Sequence, residues 1–244
     1  MKPARSQKKI ESPHSWSQLK NGQWVCESIQ TRLDEWCPKL FGYHMLKLGG
    51  LSCELSSGNC TIQHQVHLDI HNPLHTVIAD AYDLPFLEKS IDVAIIAHQL
   101  DYCNDPHRIL REVDRVLIDD GYVIITGFNP ISLTGLASTM PWRKHNLPWS
   151  GRMFTSSRIK DWLSVLNYQV LECDQYALFP MQKYRPLWAW LENAMGGWAS
   201  PLGSLYFIVA RKRTYPLKPI KPHWRLKRRF SPVGFNYRVK SEDQ

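Results

Sequence analysis

Apolar positions along this chain fall into two kinds of run. Short blocks rich in Val, Ile and Leu have the length and composition of buried parallel strands: "HMLKLGG" (44–50), "HQVHLDI" (64–70), "HTVIADA" (75–81), "IDVAIIAH" (91–98) and "GYVIITGF" (121–128). Other stretches repeat at helical spacing. In residues 22–42, Trp24, Val25, Ile29, Leu33 and Trp36 recur every turn until Pro38 and Gly42. In "NDPHRILREVDRVLIDDG" (104–121), Asp105 can cap a helix that Pro106 opens. Ile109, Leu110, Val113, Val116 and Leu117 form its stripe, and Gly121 is the expected stop. "FTSSRIKDWLSVLNY" (154–168) offers Thr155 or Ser156 as cap and Ile159, Trp162, Leu163 and Leu166 as its apolar face. Strand-like runs follow at 169–178 and 204–213. Alternating strands and helices predict an α/β sheet covered on both faces.

The pattern divides the 244 residues into a polar arm and helix (1–40, with the first twenty residues mobile), one α/β domain (41–213) and a basic, disordered tail (214–244). An apolar content of 43%, with ten Trp and ten Tyr, suffices for one sizeable core. The net charge of +8 belongs to the tail: residues 211–240 hold eleven of the thirty Lys and Arg and no acid, which leaves nineteen bases against twenty-two acids elsewhere. Six cysteines without a Cys-x-x-Cys pair predict free, mostly buried thiols and a cytoplasmic setting. Neither a secretion signal nor an apolar run long enough to span a membrane is visible.

The segment from "VIADAYDLPF" to "VIITGFNP" (77–130) resembles the middle of class I S-adenosylmethionine-dependent methyltransferases. It is most similar to the type 11 group, which includes quinone-biosynthesis methyltransferases and small bacterial methyltransferase-like proteins. The resemblance extends over about 41–213 and implies a Rossmann-like, mostly parallel sheet with an antiparallel last strand. It also implies S-adenosylmethionine as cofactor and methyl transfer to a small molecule. Asp80 matches the acid beside the adenine amino group, with the Ala81 amide near a ring nitrogen. Gly49 and Gly50 belong to the loop that faces the methionyl arm, and Asp69 is the candidate for the ribose hydroxyls, with Glu54 a weaker substitute. Asp92 matches a structural acid. Ala97 and His98 end the fourth family strand at the ligand edge. There His98, Asp101 and Tyr102 are candidates for substrate contact or proton handling, His98 and Tyr102 foremost as catalytic groups; the alternative is satisfied polar groups at a strand end.

Two departures from the family pattern stand out. Lys47 takes the place of an acid, and Leu51 and Cys53 take the places of glycines, so these side chains are expected to narrow the cofactor space. A lysine about 5 Å from the cofactor's cationic groups would cost about 3 kcal/mol, unless it pairs with the cofactor's carboxylate or turns away. Gly49 and Asp80 also stand only thirty-one positions apart, too few for the usual two helices and a strand. The fold is therefore expected to be shortened between its first and third strands, either by loss of a helix or by a hairpin over 53–70. These departures support a competing reading: an inactive binding or regulatory module whose basic tail contacts nucleic acid or membrane.

Three further features carry weaker chemistry. His64, His67, His71 and His75 have helix-compatible metal spacing, but Pro73 and the strand pattern point to strand and turn histidines with no metal. The Trp-rich stretch 178–204 either packs as an ordinary helix face or lines a cleft for an apolar or aromatic methyl acceptor. In the tail, Trp224, Phe230, Phe235 and Tyr237 interleave with basic residues, a pattern suited to weak contact with RNA or anionic lipid, or to no fixed partner.

Overall fold

Strand β1 (His44–Leu48) lies inside a six-stranded sheet, and the burial of four of its five residues follows from having a neighbour on each side. The computed structural model describes residues 12–70, 77–132, 135–136, 147, 149–177 and 203–214. In chain order the elements are α1 (Gly22–Trp36), β1, a helical turn α2 (Gly50–Cys53), β2 (His64–Leu68), β3 (Ile91–Ala97), α3 (Pro106–Val116), β4 (Leu117–Phe128), α4 (Ser156–Val165), β5 (Tyr168–Tyr176) and β6 (Leu205–Lys212). The sheet order is β2-β1-β3-β4-β6-β5. β2, β1, β3 and β4 pair in parallel, while β6 runs antiparallel to both β4 and β5, as the family resemblance implied for the last strand.

The two-residue period of the strands sorts the core into two layers. Leu46, Leu48, Ala94, Ile96 and Ile125 face α3 and α4, which bury Ile109, Val113, Ile159 and Leu163 there. Met45, Val93, Ile95, Ile124 and Phe207 face the other way, onto Val25, Ile29 and Leu33 of α1 and onto Trp16 and Leu19. The N-terminal arm is therefore packed from Ser12 onward, where mobility was expected, because Trp16 and Leu19 are 2% and 4% exposed.

Several local expectations change. β2 pairs in parallel with β1 along its whole length, which excludes a hairpin over 53–70; the first crossover helix has shrunk to the single turn α2. Of the expected strand at 75–81, the described part makes one parallel bridge, Leu68 to Val77, and then leaves the sheet. α3 is capped by Asp105, whose side chain accepts from the Arg108 amide, but it ends at Val116. Leu117 is already extended, so the strand begins four residues before the glycine expected to stop the helix. Thr155 is the cap of α4. Not all six cysteines are free: Cys37 and Cys60 form a disulfide with Cα atoms 4.4 Å apart, because the end of α1 lies beside the approach to β2. The stretch 178–202, the tail beyond Thr214, and His71 and His75 lie outside the described residues, whereas His64 and His67 sit on a strand, not on a helix face.

Asp92 joins the first two central strands at their N-terminal ends. One carboxylate oxygen accepts from the backbone amides of Tyr43 (2.9 Å) and His44 (2.8 Å), and a side chain at Gly42 would collide with the carboxyl group. Replacing Asp92 by Ala leaves two amides without this acceptor and should cost about 2–3 kcal/mol, whereas Asn, which keeps an oxygen, should cost less. Urea denaturation of the two variants at constant m-value is the check.

Candidate active site

Strands β1, β2 and β3 end on one edge, and the chain turns sharply after β1 and β3. Gly49 has φ +87°, and a Cβ there would strike the Gln99 side-chain amide, so the turn requires glycine. Its N–H donates to Leu68 O at 2.8 Å, which ties the turn to the end of β2. A cavity of about 210 Å³ opens at this edge. Leu48, Leu68, Ala79 and Ile109 give it apolar walls, while Asp69, Asp80, Gln99 and Asn104 supply polar groups.

The two acids differ in setting. Asp69 is 8% exposed, with one oxygen accepting from the Ile70 amide at 2.8 Å. Asp80 is exposed; its Oδ1 accepts from the Tyr82 amide at 3.0 Å and shapes the turn that presents Ala81, while its second oxygen makes no hydrogen bond among the described residues. This turn is held from behind. The Tyr82 hydroxyl accepts from the amides of Asn104 (2.6 Å) and Asp105 (3.1 Å). The Arg115 guanidinium donates to Leu84 O and Phe86 O at 2.9 and 3.0 Å and to the Glu112 carboxylate. An apolar slot lined by a buried acid and by a carboxylate next to a backbone amide can take a flat ring bearing an exocyclic amine, joined to a diol.

Of the residues singled out in the sequence, Gly49, Asp69, Asp80, Ala81 and Tyr102 line this cavity, and Gly50, Ala97 and His98 do not. Ala97 is 2% exposed in the α1-side core, where its amide donates to Ser52 Oγ at 2.7 Å. His98 is fully buried at φ +55°, between Phe128 (4.2 Å between ring centroids) and Trp16 (5.6 Å). Its Nδ1 lies 3.1 Å from Asp101 Oδ2, and the same oxygen accepts from the Phe128 amide at 3.0 Å. Burial raises the Asp101 carboxyl above its usual range against the lowering pull of His98, and burial likewise holds the Tyr102 phenol well above 10. The segment "HQLDYCNDP" (98–106), expected to line the pocket mouth, contributes Gln99 and Asn104 as well as Tyr102, whereas sequence reasoning missed Ser12 and Tyr82 as wall residues; neither carries a pattern that distinguishes it from an ordinary loop residue.

The altered glycine loop behaves differently from the expectation. Leu51 and Cys53 do not line the cavity: Leu51 packs into the α1-side core, and the Cys53 thiol donates to Lys47 O. Lys47 lies on the strand face opposite the cavity-lining Leu48 and is 2% exposed. Its ammonium donates to Leu55 O at 2.6 Å, so it has turned away from the cavity, and burial lowers its pKa to about 8.

Comparison with known proteins is consistent with this geometry. A family model described as a methyltransferase domain matches residues 51–125. The uncharacterized protein YafS of Escherichia coli K12 is 42% identical over 217 residues, 89% of this chain and 88% of YafS. Among solved structures, a SAM-dependent methyltransferase from Archaeoglobus fulgidus superimposes with a TM-score of 0.54 at 18% identity, over 77% of this chain and 94% of that one. The [4+2]-cyclase SpnF reaches 0.54 at 16% identity, over 79% and 83%. Such likenesses identify the fold, and SpnF illustrates that a fold does not dictate a reaction.

The Lys47 amine gives a pH signature. Unfolded, it titrates near 10.5; folded, near 8. Between these values the unfolded chain holds the extra proton, so stability should rise with pH, by up to about 3 kcal/mol, relative to a Lys47→Met variant that lacks the group. Denaturant titrations of both proteins from pH 7.5 to 10.5 should diverge in that direction; parallel curves would mean the amine is not desolvated.

Proposed function

Because the chain belongs to the class I S-adenosylmethionine-dependent methyltransferases of type 11, and to the same family as YafS, we propose that it methylates a small molecule using the cavity at Gly49, Asp69 and Asp80 as its donor site. The observation that carries this reading is the convergence of a buried acid, a glycine turn and a carboxylate–amide pair on one apolar slot. Asp80 accepts from the adenine amine and the Ala81 amide donates to the ring; Asp69 accepts from the ribose hydroxyls; Gly49 lets the backbone approach the methionyl arm. S-adenosylmethionine supplies an electrophilic methyl group on a sulfonium. The protein's remaining task is to orient the acceptor and, where its reacting atom carries a proton, to remove it.

His98 is our candidate for that proton. With Nδ1–H donating to Asp101, Nε2 is the basic nitrogen, and it is buried with no hydrogen-bond partner among the described residues. Tyr102 is the second candidate, on the cavity wall. An apolar or aromatic acceptor suits a second cavity of about 430 Å³ walled by Pro130, Met153, Phe154 and Arg158. Its neighbouring loop is tied to the site through Arg152 N–H donating to Asp101 O at 2.6 Å. Lys47, Leu51 and Cys53 are buried away from the cavity and so do not stand against the enzymatic reading, whereas the shortened crossover, the other ground for an inactive binding module, is present.

The proposal includes a cytoplasmic setting, supported by the four free cysteines at 26, 53, 103 and 173, while the Cys37–Cys60 disulfide counts against it. No helix among the described residues is long and apolar enough to cross a membrane. Contact of residues 211–240 with RNA or anionic lipid is also proposed, on charge alone.

The product form, S-adenosylhomocysteine, tests the donor site. At one hundred times its dissociation constant it should stabilise the protein by about 2.7 kcal/mol. Asp80→Ala should weaken binding about tenfold or more, as loss of a hydrogen bond to a charged group does. Binding unchanged by Asp80→Ala would remove Asp80 from the site, and no binding at millimolar ligand would refute the reading.

A further inference from the structure

Gly50, expected to face the donor, instead meets the N-terminal segment. A Cβ at Gly50 would come within 2.6 Å of His14 O and 2.9 Å of His14 Cα, so the backbone of residues 12–19 rests directly on the glycine loop. This strap makes one helical turn at Trp16–Gln18, capped by Ser15, and buries Trp16 and Leu19 in the α1-side core. The Trp16 amide donates to Glu54 Oε2 and its indole N–H donates to Leu51 O, both at 3.0 Å. The indole ring stands edge-on to His98. On the near side, His14 Nδ1 lies 3.8 Å from Asp69 Oδ2, and Ser12 forms part of the cavity wall.

One segment therefore covers three parts of the proposed site: the Gly50 backbone, the Asp69 carboxylate and the His98 ring. The cavity it leaves, about 210 Å³, is smaller than the roughly 300 Å³ at which pockets for ligands of this size begin. A methionyl arm lying along the glycine loop and a ribose on Asp69 would both contend with the strap for the same surfaces.

We propose that residues 12–19 are a cover over the donor site, closed in the free protein and displaced when the methyl donor enters. The inference rests on the donor reading above. Because Trp16 also covers His98, the movement that admits the donor uncovers the group assigned to the acceptor's proton, and the two halves of the site open together. Apparent affinity then equals intrinsic affinity multiplied by the open fraction, so weakening the strap tightens binding.

The test is calorimetric titration of S-adenosylhomocysteine into the full-length protein, His14→Ala and Trp16→Phe. Trp16→Phe keeps an aromatic ring in the core and deletes the N–H that reaches Leu51; losing one such hydrogen bond should tighten binding about fivefold. His14→Ala alters a partly exposed side chain outside the core clusters, so it reports even where Trp16→Phe folds poorly, and it should also tighten binding. Amide hydrogen exchange over 12–19 in the wild type should accelerate on adding the ligand. Unchanged or weaker affinity in both variants, or slower exchange in the strap, would overturn the cover while leaving the donor site intact. Absence of binding in all three proteins would overturn both.

Discussion

The short connection between β1 and β2 is the constraint on which the rest of this site depends. Parallel neighbours need a crossover of about a dozen residues or more, and here residues 49–63 supply it with one helical turn in place of a full helix. A turn of that length has few hydrogen bonds of its own, so side chains hold it from several directions. Ser52 Oγ donates to Leu48 O at 2.6 Å and accepts from the Ala97 amide, bridging two strand ends. Lys47 fixes Leu55 O, and Trp16 fixes Leu51 O. Residues that a longer crossover could present to a ligand are committed here to closing the fold.

The same constraint explains why the loop departs from a glycine-rich pattern without filling the cavity. Leu51 is turned toward the α1-side core and contributes packing that the missing helix would otherwise supply, while the buried Cys53 thiol donates to Lys47 O. Burying an ammonium at Lys47 is costly, as its lowered pKa shows, and it is tolerated because a backbone carbonyl of the shortened crossover needs a donor. The polar work of the site shifts to the turn at Asp80–Tyr82 and to Asp69, whose supports, Tyr82 and Arg115, lie outside the loop.

Much of this was legible in the residues. The apolar runs locate β1, β2, β3 and β4, and the caps at Asp105 and Thr155 locate α3 and α4, because burial between neighbours and capping are local demands. Asp69 and Asp80 were legible as a pair from the family pattern. The direction of Lys47 follows from strand parity: if Leu48 faces the cavity, its neighbour cannot. Other features depend on packing between distant segments and leave no local trace. "HTVIADA" has the composition of a strand, but its described part makes only one bridge. Cys37 and Cys60 stand 23 positions apart, in no motif, and meet only once α1 is laid beside the approach to β2. Trp16 sits in a polar run, and its burial depends on a groove made by residues 35 positions later.

The central claim is that Gly49, Asp69 and the Asp80–Ala81 turn form one donor site. Amide-resolved NMR during titration with S-adenosylhomocysteine tests it most directly. The account predicts saturable shifts, with one dissociation constant, at the amides of Gly49, Ile70, Ala81, Tyr82 and Asn104, on four separate chain segments around one cavity. Shifts confined elsewhere, or none at millimolar ligand, would contradict it.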